Sequence, residues 1–420
     1  CRVLTSGIGP FRAPRSAARK MLVAEFVALK QEMARKVKLR RRLRGPPGLI
    51  DRLPPPYPLH RRPINLPVPE TPLPKKNPYY SGPESDHFDG ERFFNPEGMV
   101  PHGLKEMIKW KLEPVAKWPS RADNPAAPGK PPGRVKGSGI RVTAIGHATM
   151  LIQTAGLNIL TDPVWSERAS PLSFAGPRRK REPGMAFDDL PDIDLVLLSH
   201  NHYDHLDLST LKRLHKSHDA KVITPLGNDS VIHSKVPDMT VATGDWDDVM
   251  EHGPLRIHFE RCHHWSARGI GDRSMALWAG FTLETPERRI FHIGDTGFDH
   301  GRPYELAKSK HGDFDLAILP IGAYEPRWFM KDQHQNPEEA IKGFEILGAT
   351  HGIGHHWGTF QLTNESMQDP VHKLTEALAE HDILAHRFRA LEPGQYWDLA
   401  ETGPDPKASG EHGTPSVPSP

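Results

Sequence analysis

At 420 residues, with 37% hydrophobic content and a formal net charge of +2, the chain can bury at least one core and lacks a strong basic excess, so no nucleic-acid partner is expected. Two cysteines, Cys1 and Cys262, exclude a disulfide framework and fit a reducing compartment, and any metal site must be built from His and Asp. No run approaches the roughly 18 to 20 apolar residues of a helical membrane span, which leaves a cytoplasmic or peripheral membrane location as the expectation.

The stretch "RVLTSGIGPFRAPRSAARK", Arg-rich and acid-poor, reads as a solvated basic tail, with an N-terminal targeting segment as the alternative. "KMLVAEFVALKQEMARKVKLRRRLR" then passes from an apolar start to a dense basic run suited to peripheral contact with an anionic membrane surface. Of the 43 prolines, many crowd the first third, as in "RLPPPYPLHRRPINLPVPETPLPKKNPYY", so residues 1–136 read as a basic, proline-rich and partly disordered arm. Inside it, "NPYYSGPESDHFDGERFFNPEG" is aromatic enough to dock on a folded body; a separate partner-binding motif is the alternative.

From about residue 137 the texture changes. "GIRVTAIG", "TMLIQT", "LNILTD", "IDLVLLS", "AKVITP", "LRIHFE", "ALWAGFTLE", "RRIFHIGD" and "FDLAILPIG" are short β-rich runs bounded by Gly, Pro or Asp. "LSTLKRLHKSH", "NPEEAIKGFEIL" and "VHKLTEALAEH" carry helical spacing. An α/β domain over 137–400, two packed sheets with helices outside, is the expected architecture. The polar "ETGPDPKASGEHGTPSVPSP" suggests a disordered tail over 401–420, and no internal repeat is obvious.

"LLSHNHYDHLD" follows a buried-strand pattern and places His200, His202, Asp204 and His205 in the loop at its end. On extended backbone His200 and His202 point the same way while Asp204 and His205 turn onward, so one loop can serve two adjacent metals. Further candidates stand near the ends of later runs: His263 and His264, Asp295, and His355 and His356.

These stretches resemble the metallo-β-lactamase fold and, over residues 141–361, the N-acylphosphatidylethanolamine-hydrolysing phospholipase D family. "GHATMLI", "LTDPVWSERASP", "SHNHYDHLD", "HHWSAR", "GDTGF", "LPIGAYEPRWFMKDQHQNPEEA" and "HHWGTF" carry the resemblance, over about half the chain and in the family's order. The resemblance implies an αββα sandwich of two mixed sheets and two Zn²⁺ ions. One would be held by His200, His202 and His264, the other by Asp204, His205 and His356, with Asp295 bridging. Neutral imidazole suits zinc, and a carboxylate can span ions about 3.5 to 4 Å apart. His264 is preferred to His263, and His356 to His355, because each precedes the family's Trp. Asp204 and Asp295 would also position the water that attacks.

Asp162 is expected behind the metal loop, orienting a ligand, with turn capping as the alternative; His147 is equally a site residue or a structural histidine. Gln333 and His334 match family positions at the substrate phosphate, and Tyr203 could add a hydroxyl. Tyr324, Trp328, Phe329 and Met330 line a lipid-facing cleft or belong to the core. The resemblance implies hydrolysis of N-acylphosphatidylethanolamine to N-acylethanolamine and phosphatidic acid by a zinc-bound hydroxide attacking phosphorus, with a phospholipid as substrate. The alternatives are a metal-dependent lactonase, a soluble phosphodiesterase of the same fold, or a membrane-surface scaffold with a vestigial site. Oligomeric state is not legible.

Overall fold

Leu195 and Leu197 pack in one hydrophobic cluster and Val196 and Leu198 in another, so the period-two pattern of a single strand joins two layers. The computed structural model describes residues 77–96, 98, 102–125, 130–269 and 271–400, which belong to one compact unit. The targeting-like opening, the basic run over 20–44 and the tail 401–420 lie outside the described residues.

The first sheet contains β1 (Ile140–Gly146), β2 (Thr149–Thr154), β3 (Leu157–Thr161), β4 (Leu195–Leu197), β5 (Lys221–Pro225) and β6 (Val241–Gly244). The second contains β7 (Val249–His252), β8 (Leu255–Glu260), β9 (Gly280–Glu284), β10 (Arg289–His292), β11 (Leu316–Pro320), β12 (His351–His355) and β13 (Phe388–Ala390), and β14 (Tyr396–Leu399) returns to the first. Their orders are β14-β1-β2-β3-β4-β5-β6 and β13-β12-β11-β10-β9-β8-β7. Both are mixed: β14 through β3 pair antiparallel and β3 through β6 parallel, while β7 through β10 pair antiparallel and β10 through β13 parallel. The two sheets thus repeat one plan without a legible repeat in the sequence.

The helices are α1 (Leu104–Leu112), α2 (Leu208–His218), α3 (Asn228–His233), α4 (Arg302–His311), α5 (Arg327–Met330), α6 (Pro337–Ile346) and α7 (Asp369–Glu380). Leu211 and Leu214 of α2 and Val231 and Ile232 of α3 cover the outer face of the first sheet. Ala340, Ile341 and Phe344 of α6 and Leu374, Ala377 and Leu378 of α7 join the core that includes the second sheet. This is the metallo-β-lactamase sandwich, with helices on the outside of two mixed sheets.

Residues 77–95, inside the predicted arm, lie against this body. Phe88 and Phe93 are buried, Asn77 Nδ2 donates to Met275 O at 2.8 Å, and the Tyr79 hydroxyl donates to Asp272 at 2.7 Å. Helix α1 follows in a stretch free of proline, where the Gly103 amide donates to Glu106 at 3.0 Å and Lys109 and Lys111 occupy the last turn. Trp110 Nε1 donates to Asn364 Oδ1 at 3.0 Å, which ties α1 to the loop after β12.

Candidate metal centre

Strands β4, β10, β11 and β12, each parallel to a neighbour, and the antiparallel β8 deliver the site residues from their C-terminal ends, where open sheets hold ligands. After β4 come His200, His202, Asp204 and His205, and Asp207 ends the loop as the N-cap of α2, accepting from Ser209 N at 3.0 Å. His264 follows β8, Asp295 follows β10, His334 follows β11 and α5, and His356 follows β12. His147, Asp162 and His356 have φ of 57°, 36° and 64°, so three site residues hold the left-handed conformation that L side chains disfavour.

All seven predicted ligands meet. His200 Nε2 and His264 Nε2 lie 2.8 and 3.3 Å from His202 Nδ1, and His356 Nε2 lies 3.3 Å from Asp204 Oδ2. Asp295 Oδ2 stands between the sets, 3.7 Å from His264 Nε2, 3.2 Å from His205 Nε2 and 3.1 Å from His356 Nε2.

Proton accounting tests whether cations fit. His264 Nδ1 donates to Gln333 O at 2.9 Å, and His205 Nδ1 donates to Asp162 Oδ2 at 2.8 Å. Ser199 Oγ gives its hydrogen to Asp162 Oδ2 at 2.7 Å, so the 2.9 Å contact with His200 Nδ1 is one in which the ring donates. In the neutral form of each ring this assignment leaves the lone pair on Nε2, so the nitrogens converge on the centre as acceptors once any proton there is displaced. Burial, reinforced by neighbouring imidazoles, holds His200 well below the usual histidine range and lowers His202 and His264 to about 3, keeping these rings in the neutral form that ligates. Among the described residues, His205 Nε2, His356 Nε2 and Asp295 Oδ1 are buried without hydrogen-bond partners. Two adjacent cations fit this donor set.

Asp162, fully buried, also accepts from the Ser199 amide at 2.7 Å, so it braces the start of the loop as well as His205. His147 Nε2 donates to Asp204 Oδ2 at 2.9 Å and therefore orients that carboxylate rather than ligating through this nitrogen; burial lowers its pKa to about 4. His334 Nδ1 lies 3.9 Å from Asp295 Oδ2, and His334 and Gln333 line the cavity above the centre. Tyr203 lines it too, but its hydroxyl donates to Arg268 O at 3.1 Å. His263 Nδ1 donates to Asp332 O at 2.6 Å, outside the donor set, and His355 is buried beside His292 with ring centroids 5.2 Å apart.

Sequence reasoning missed Ser199, the hinge between Asp162 and His200. It also missed Arg268, whose Nη1 donates to Asn201 O at 2.9 Å and Leu206 O at 2.8 Å and so ties down both ends of the metal loop. Nothing in the spacing of "HHWSARG" marks an arginine that binds backbone carbonyls 62 and 67 residues upstream. Above the centre opens a cavity of about 880 Å³, with Phe94, Met107, Trp110, Phe329, Met330 and Leu362 among its apolar lining. Of the aromatic run expected there, Tyr324 is buried outside the lining and Trp328 Nε1 donates to Glu113 at 2.8 Å, whereas Phe329 and Met330 face the cavity.

Fold and site together define a metal-dependent hydrolase of the metallo-β-lactamase superfamily. The family model for the beta-lactamase superfamily domain matches residues 157–357. A bacterial isothiocyanate hydrolase from Delia radicum gut bacteria superimposes with a TM-score of 0.51, at 20% identity, covering 62% of this chain and 99% of that one. More narrowly, the chain is 38% identical over 275 residues to N-acyl-phosphatidylethanolamine-hydrolyzing phospholipase D 1 of Caenorhabditis elegans, covering 63% of this chain and 77% of that relative. It is 35% identical over 229 residues to the mitochondrial enzyme of that name from Saccharomyces cerevisiae, covering 54% of this chain and 48% of the yeast protein. The chain belongs to the N-acylphosphatidylethanolamine-hydrolysing phospholipase D family.

Proposed function

We propose that the chain is a binuclear zinc phosphodiesterase of phospholipase D type, hydrolysing N-acylphosphatidylethanolamine to N-acylethanolamine and phosphatidic acid. The observation that carries the reading is the apolar cavity of about 880 Å³ set directly over a two-cation donor set, because it offers the reacting group polar ligands and the acyl chains an oily wall. His200, His202 and His264 would hold one ion, Asp204, His205 and His356 the other, and Asp295 would bridge. Bound there, the ions supply a water acidic enough to attack near neutral pH and positive charge for the phosphoryl oxygens.

The protein's own groups position the rest. Asp204, fixed by His147, and Asp295 orient the attacking water against phosphorus. His334, which burial keeps neutral by lowering its pKa to about 3, and the Gln333 amide can each donate a hydrogen bond to a phosphoryl oxygen. The oxygen from water joins phosphorus, the bond to the ethanolamine oxygen breaks, and a proton goes to that leaving oxygen.

Helix α1 supports delivery from a membrane surface. Met107 lines the cavity, and Met107, Ile108 and Leu112 are 44%, 42% and 81% exposed on a helix that also carries Lys105, Lys109 and Lys111. The zinc-loaded full chain, given vesicles of N-acylphosphatidylethanolamine, is expected to release both products. Changing Ile108 and Leu112, which lie outside the cavity lining, to Ser should cut turnover on vesicles by about tenfold or more while sparing a soluble phosphodiester. Release of neither product by fully metallated protein would overturn the reading, and lactone hydrolysis without lipid preference would favour the lactonase alternative.

A further inference from the structure

Two arginines stand close together in sequence beside the cavity and are used differently. Arg268 is committed to the backbone of the metal loop and to the Tyr203 ring, 3.8 Å from its guanidinium carbon. Arg273 lines the cavity, and its Nε is buried with no hydrogen-bond partner among the described residues. Its guanidinium carbon lies 4.1 Å from the centroid of the Trp265 indole, which also packs on His202, with ring centroids 4.4 Å apart, and on His264, at 6.4 Å. One indole therefore separates this cation from the metal centre.

No carboxylate among the described residues lies at ion-pair distance from the Arg273 guanidinium. The acids lining the cavity are engaged elsewhere: Asp204 and Asp295 with the metal-centre histidines, and Asp332 beside His102 at 4.0 Å. The neighbouring charged side chain is another arginine: Arg92, 3.5 Å from Glu91, donates to the Arg273 and Gly271 carbonyls, and burial together with Arg92 lowers the Arg273 pKa. A half-buried cation held by stacking beside a largely apolar wall, with a buried Nε that has no partner, is placed to take an anion that enters the cavity.

We infer that Arg273 is an anion-binding residue of the catalytic cavity. It takes an oxygen of a phosphoryl group next to the metal centre, in a phosphodiester substrate or a phosphomonoester product, and favours such ligands over neutral esters. The specificity role rests on the phosphodiesterase reading; the anion site does not. Trp265 acts as its platform, holding the planar group with its donors toward the cavity.

The test compares the zinc-loaded full chain with Arg273→Gln and Arg273→Lys. Affinity for inorganic phosphate, measured by calorimetry, is expected to fall about tenfold in the Gln variant and to recover largely in the Lys variant, with zinc content and melting temperature unchanged. KM for a soluble anionic phosphodiester should rise while KM for a neutral lactone stays constant. Weakening of both phosphate and dispersed phosphatidate supports a general phosphoryl subsite, and weakening of phosphatidate alone supports a lipid headgroup subsite. Unchanged affinity for both, or equal loss on anionic and neutral substrates, overturns the inference. Should Gln not fold, Arg273→Met keeps the apolar stem and is expected to give the same phosphate result. If the wild type cleaves no phosphodiester, the proposed function fails, and calorimetry with phosphate still decides the role of Arg273.

Discussion

Replacing Asp162 by Asn tests whether the carboxylate behind the metal loop selects the ligating form of His205. Asp162 serves three donors: Oδ1 accepts the Ser199 amide at 2.7 Å, and Oδ2 accepts the Ser199 hydroxyl at 2.7 Å and His205 Nδ1 at 2.8 Å. Asn has the same shape with one acceptor. If its oxygen stays on the Ser199 amide, its NH₂ faces His205 Nδ1, and the ring proton must move to Nε2. That atom lies 3.2 Å from Asp295 Oδ2 and 3.5 Å from Asp204 Oδ2, and protonated it cannot ligate. If the amide flips, its NH₂ opposes the Ser199 N–H instead, and the loop loses its brace. Loss of such a partner costs about 10 to 100-fold in metal affinity or activity, or about 1.4 to 2.8 kcal/mol. The unmet buried donor costs the fold about 1 to 3 kcal/mol more. Competition with a chromophoric chelator would measure the first loss and denaturant unfolding of the stripped variant the second. Wild-type affinity for both ions in Asp162→Asn would refute the argument.

Two further outcomes are expected. In the metal-free protein, burial disfavours charge on His205 and His356, but Asp295 and Asp204 outweigh it, holding His205 well above 6.5 and His356 up to about 9. Because both folded-state values exceed the unfolded one, their stabilisation is full below pH 6.5, and the His356 part fades as pH rises through about 9. Metal must displace the same protons, so zinc affinity should climb across that window and then level, and a flat profile in chelator competition would contradict the assignment. Gly322→Ala would put a Cβ 2.1 Å from His356 O, a backbone atom that cannot swing aside. It should destabilise the fold by about 1 to 3 kcal/mol in denaturant unfolding and weaken metal binding through His356; unchanged values for both would show that the loop after β11 yields.

Much of the site was legible before the fold. The seven ligand candidates stand out because "SHNHYDHLD", "HHW", "GDTGF" and "HHWGTF" each follow a strand-like run, and strand ends are where open sheets place chemistry. The long, regular helices were legible for a similar reason: α2, α6 and α7 carry apolar residues at helical spacing and, for α6, an Asn336 and Glu339 capping box with Pro337 at its first position. Strand β12 was legible only as the short run ahead of "HHWGTF", not from its composition. "HGIGH" has no β-branched alternation, because a side chain at Gly352 would meet the Phe388 ring at 2.1 Å and one at Gly354 would meet Ile321 at 2.6 Å. Its glycines answer to neighbours that only the folded sheet brings close.

Local chemistry, written in residue type and spacing, was thus set by the sequence alone: metal donors, caps, and strands buried on both faces. Tertiary structure decided what depends on atoms distant along the chain. Asp162 braces His205 across 43 residues, His147 holds Asp204 across 57, and Arg268 reaches Asn201 across 67. The same is true of the cavity wall. Helix α1 and Phe94 come from a segment whose proline-rich texture reads as an arm, yet they complete the space above the metal centre, since burial against the body outweighs the weak local preference of nine helical residues.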